Sequence, residues 1–116
     1  MPREIYVITP RSVTLEDLVA AGIAIDGSLG LRTLFEGAAL QLVNADGVAV
    51  VTIDNSRLLE ATDDAARVTR GLSIPPAGSW WTEAVAPWGS AGAAGVAVVE
   101  RLALNLGGNF HIEEGL

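Results

Sequence analysis

From Glu4 to Thr9 the side chains alternate, with Ile5, Val7 and Thr9 on one face and Tyr6 and Ile8 on the other. A period of two predicts a strand, and two largely apolar faces suit a central place in a sheet. Pro10 closes it. A short helix follows, with Thr14 as N-cap, Asp17 three residues on in capping-box position, and Gly22 as the expected stop. Leu15, Leu18 and Val19 form its apolar stripe. Ile23 to Gly30 reads as a loop with an Asp26-Gly27 turn, and Leu31 to Glu36 as a further strand candidate.

Ala39 to Val43 and Val48 to Asp54 are clearer strands. Asn44-Ala45-Asp46-Gly47 between them carries the residue types a hairpin turn requires. Beyond Asp54-Asn55-Ser56 a helix could begin at Ser56, or Arg57 to Glu60 could be an irregular connection. The second reading is preferred. It gives a helix capped by Thr62, with Asp63 and Asp64 in its first turn, Arg67 and Arg70 in its last and Gly71 at its end, the charge order a helix dipole favours. Pro75 to Gly78 is a rigid connection. Ser79 to Pro87, with Trp80, Trp81, Thr82 and Val85, suits a strand.

The segment Ser90 to Leu106 changes period. At 100° per residue Ala91, Gly92, Gly95, Val96, Val98, Val99, Leu102, Ala103 and Leu106 gather on one side, opposite Ser90, Glu100, Arg101 and Asn105. That predicts a helix ended by Gly107-Gly108, followed by a short last strand from Asn109 to Glu113. The pentapeptide Gly-Val-Ala-Val-Val occurs at Gly47 to Val51 and again at Gly95 to Val99. Context assigns the first copy to a strand and the second to a helix, and the flanking residues do not repeat. The resulting order is β-α-β-β-α-β, then a helix and a short strand. Its first six elements match the ferredoxin-like plan, an antiparallel sheet with helices on one face. The expected fold is one α+β domain over residues 1–116.

Composition narrows the function. Of the 116 residues half are hydrophobic and 18% charged, the balance of a folded chain rather than a disordered one. The formal net charge is −7, and the basic residues are seven scattered arginines without a lysine. Nucleic-acid binding needs clustered cations, so no nucleic-acid partner is expected. The absence of cysteine excludes disulfides, thiol catalysis and thiolate metal sites. The apolar run Ile5 to Ile8 is too short for a signal peptide, and Ala91 to Val99 falls short of a membrane span of about 20 residues. A cytoplasmic protein without membrane contact is the expectation.

Catalytic signatures are missing. His111 is the single histidine, on the outward side of Phe110-His111-Ile112-Glu113. It could join a metal or acid–base site, but zinc needs three or four ligands, and a surface histidine is the plainer explanation. Asp63-Asp64 and Glu113-Glu114 read as helix-start and solvated acids. No Gly-x-Ser-x-Gly elbow occurs, and without lysine there is no Walker motif. No metal and no cofactor are expected.

The tryptophans stand out, because Trp80, Trp81 and Trp88 fall close together in a chain that is only 5% aromatic. On an extended strand Trp80, Ala84 and Trp88 share one side, while Trp81, Glu83 and Val85 share the other. Tryptophan is enriched at binding hot spots, although all three indoles could equally fill gaps among small core residues. The candidate binding residues are thus Trp80, Trp81, Glu83, Trp88 and His111. The expectation is a non-enzymatic binding or assembly protein that self-associates as a homo-oligomer or binds another protein through a sheet face or edge near Trp81. Two alternatives are an acidic immunity or antitoxin-type partner of a basic effector, and a small-ligand or enzymatic domain using the Trp81/Glu83 surface.

Overall fold

The computed structural model describes residues 3–58 and 78–113. Its elements are β1 (Arg3–Thr9), α1 (Leu15–Ile25), β2 (Gly30–Leu34), β3 (Ala39–Val43), β4 (Ala49–Asp54), β5 (Arg57–Leu58), β6 (Trp80–Ala86), α2 (Ser90–Leu106) and β7 (Asn109–Glu113). Among the described residues this is an α+β structure, one antiparallel sheet of seven strands with two helices. The order is β2-β3-β4-β6-β1-β7, and the two-residue β5 lies beside β6 beyond the end of β4. Both β6 and β7 run antiparallel to β1 and are therefore parallel to each other. The unit β6-α2-β7 accordingly has β1 inserted between its strands.

Several local readings fit what is observed. The hairpin between β3 and β4 turns at Asn44–Gly47, where Asn44 Oδ1 accepts from the backbone N–H of Asp46 and of Val48, each at 3.0 Å. α1 starts with a reciprocal capping box between Thr14 and Asp17. α2 and β7 have the expected bounds. The helix read between Thr62 and Gly71 lies outside the described residues.

Other readings need correction. Beyond the four strands of the ferredoxin-like plan the sheet has three more: β2, the expected last strand β7, and β5, which occupies part of the connection expected to be irregular. Gly22 does not stop α1, which continues to Ile25 and is capped by Asp26. Gly22 is instead buried where α1 crosses β3, and a Cβ there would come within 3.1 Å of Leu42 Cδ1. β2 ends at Leu34, since Phe35 and Glu36 adopt left-handed backbone angles (φ 53° and 56°) and take the chain out of the ladder.

Both helices cover one face. Ile5 and Val7 of β1 and Val51 of β4 meet Leu18 of α1 and Val98 and Leu102 of α2, all buried in one apolar cluster. Full burial of each such side chain contributes roughly 1.5–3 kcal/mol. α2 sits close to the sheet because Gly95 has no side chain; a Cβ there would overlap the carbonyl oxygen of Val50. Gly95→Ala is therefore expected to destabilise by about 3 kcal/mol or to prevent folding, whereas Gly27→Ala, with nothing within 4 Å, should be close to neutral. Urea unfolding of the two variants checks this.

The first turn of α1 gives a pH-dependent contribution. Arg11 binds both carboxylate oxygens of Asp17, at 2.7 and 2.8 Å, and Asp17 also accepts from the Thr14 N–H. Chiefly through the Arg11 hydrogen bonds, the Asp17 carboxyl is lowered from 3.8 to about 2, against an opposing effect of burial. A folded-state value below the unfolded one stabilises above about pH 4, and this stability is lost as pH falls towards 2. Asp17→Asn should flatten the acid limb of the stability curve in that window and leave its alkaline limb unchanged.

Candidate functional site

The strand registers place side chains of β6, β1 and β7 in a grid on the sheet face away from the two helices. Tyr6 lies opposite Glu83 on one side and His111 on the other, so Glu83, Tyr6 and His111 form one cross-strand row. Trp81, Ile8 and Asn109 form the next row, and Val85, Glu4 and Glu113 the row on the other side. Three of the residues singled out from sequence, Trp81, Glu83 and His111, thus share one face. Trp80 faces the helix layer opposite Thr9 and is half-buried, and Trp88 lies past the end of β6.

Trp81 is fully buried, its ring stacked on Tyr6 with centroids 4.9 Å apart and with Ile8 also packed against it. Such stacking adds about 0.5–1.5 kcal/mol beyond area burial. Its Nε1–H has no acceptor among the described residues, an exception to the satisfaction of buried donors. The exposed indole of the three is Trp88, 48% accessible, with the Arg3 guanidinium carbon 4.8 Å above its ring. Arg3 Nε is likewise buried without a partner among the described residues.

The Tyr6 hydroxyl donates to Glu113 Oε2 at 2.7 Å and lies 3.2 Å from Glu4 Oε2. Burial foremost, then the Glu113 hydrogen bond and the two nearby carboxylates, push the phenol well above its ordinary value. The phenol consequently stays protonated and serves as a hydrogen-bond donor. Glu83 is met by Arg57 at 3.7 Å across the β5–β6 pair. Glu4, Glu83 and Glu113 give this face an acidic character suited to amide, hydroxyl or cationic groups. Among the described residues no three His, Asp or Glu side chains are grouped to hold a metal ion.

Sequence reasoning missed Tyr6, Glu4 and Glu113 as members of this surface. The signal was present in the alternation of β1, whose second face carries Glu4, Tyr6 and Ile8, but apolarity on both faces reads as a wholly buried strand. Urea unfolding separates the indoles: Trp81→Ala should cost about 3–5 kcal/mol, and Trp88→Ala less than about 1 kcal/mol. Equal losses would refute the assignment of Trp81 as the interior ring. No family model, no curated protein and no solved structure matches the chain.

Proposed function

We propose that this chain is a small non-enzymatic binding or assembly protein that self-associates, acting in a reducing compartment such as the cytoplasm. The supporting observation is a pair of sheet edges, β2 and β7, with no strand beside either among the described residues. Edge strands are normally guarded by proline, by charged side chains (lysine above all) or by bulges, and β2 and β7 carry one charged residue each, Arg32 and Glu113. Neither Gly-Leu-Arg-Thr-Leu nor Asn-Phe-His-Ile-Glu contains proline or lysine. β7 also borders the Tyr6/Trp81 face, which joins an open edge to an aromatic and acidic surface. We further read the sheet as an elaborated ferredoxin-like plan, on the strength of the β6-α2-β7 unit straddling β1.

A second reading, an acidic partner of a basic effector, is favoured by Glu4, Glu83 and Glu113 lying on one face. A small-ligand or catalytic use of the Trp81/Glu83 surface draws less support, because Trp81 is fully buried. No helix among the described residues is long and apolar enough to cross a membrane.

Light scattering after size exclusion tests the primary reading. The expected mass at high concentration is twice the 12.0 kDa of one chain, falling on dilution. A single-chain mass at every concentration up to about 1 mM, the weak end of specific association, would exclude it. Raising salt should strengthen self-association between chains of net charge −7 by screening repulsion. It should weaken capture of a basic partner, so the sign of the salt response separates the two readings.

A further inference from the structure

Two edges can bring copies of this chain together in three ways, and charge distinguishes them. Full overlap of β2 with its own symmetry mate sets Arg32 opposite the second copy's Arg32, since Arg32 is the middle residue of Gly30–Leu34. Like charges directly opposite destabilise a ladder. Full overlap of β2 with β7 in the antiparallel sense sets Arg32 opposite His111 and Leu34 opposite Asn109. It also joins different edges head to tail, which leaves one β2 and one β7 edge able to repeat the same joint without closure.

Full overlap of β7 with itself avoids the Arg32 clash, and it closes after two copies because the edges left outside are two β2 strands, whose mutual pairing is the one that sets Arg32 against Arg32. His111 is the middle residue of Asn109–Glu113, so a twofold axis through it pairs Phe110 with the second copy's Ile112, twice, on the helix side. On the opposite side it pairs Glu113 with the second copy's Asn109, twice. Each carboxylate then meets an amide that can donate to it, not another carboxylate, and each half-exposed Phe110 (36%) gains an apolar neighbour. Alternate residues of an edge strand aim backbone N–H and C=O groups outward, and the second copy supplies their partners.

We propose that β7 is a homodimer interface, pairing antiparallel with the second copy's β7 about a twofold axis at His111. This rests on the self-association reading and names its surface. A five-residue ladder with two Phe–Ile pairs lies at the small end of specific interfaces, below about 1,200 Å² in total. The closed symmetry limits assembly to two copies.

The test uses the full chain, with mass by light scattering across a dilution series and amide hydrogen exchange at both ends of it. In the wild type, alternate β7 amides should gain protection with concentration while β2 amides do not. His111→Lys sets like charges at the axis and should weaken dimerisation at least tenfold, whereas His111→Val should preserve it or strengthen it. Urea unfolding at low concentration confirms that each variant folds. A dimer in which β2 amides gain protection, or which is indifferent to His111→Lys, overturns the β7 interface and leaves self-association standing. A wild-type monomer throughout overturns both.

Discussion

The arrangement depends on the register of β1. β1 pairs with β6 on one side and β7 on the other, and its alternation divides the sheet into two chemically different faces. Ile5 and Val7 enter the core under the helices, while Glu4, Tyr6 and Ile8 face the other way. Because side chains alternate with a period of two, a slip by one residue would put Tyr6 and a carboxylate into the helix-covered core. It would also move both aliphatic side chains out. The position of every candidate site residue on β6 and β7 follows from that register.

The parts of this fold legible in sequence are those set by short-range chemistry. Asn44 to Gly47 announced a hairpin because the Asn44 side chain satisfies the turn's own N–H groups. Thr14 and Asp17 announced a helix start because each caps the other's backbone. The second Gly-Val-Ala-Val-Val copy was assigned correctly to a helix by the length of amphipathic pattern around it. What failed were features decided by distant contacts. Gly22 looks like a stop in one dimension, yet it is a point of close approach between α1 and Leu42 of β3. No local signal separates these two uses of glycine.

The tryptophan cluster shows the same division. Strand alternation correctly separated Trp80 from Trp81, but it could not tell which face would be dry. Trp81 lies on the face away from the helices and is nevertheless wholly buried, stacked on Tyr6. Trp88 had been grouped with Trp80 by extending the strand, and it leaves that geometry because β6 ends at Ala86. Of the polar candidates, Glu83 and His111 did come together in one row, through Tyr6, which sequence reasoning had not selected.

The face away from the two helices therefore has a graded chemistry. Around Trp81 it is aromatic and dry enough to leave an indole N–H without an acceptor among the described residues, a state that costs about 1–3 kcal/mol. Towards β7 it becomes polar, with Tyr6 donating to Glu113 and His111 exposed. A surface built for solubility alone gains nothing from a buried unsatisfied donor, and the Tyr6–Trp81 stack offsets part of that cost. The stack also rigidifies β1 next to β7. The outermost strand thus pairs with a strand packed on both faces, and an edge already ordered lowers the entropy cost when a second chain pairs with it.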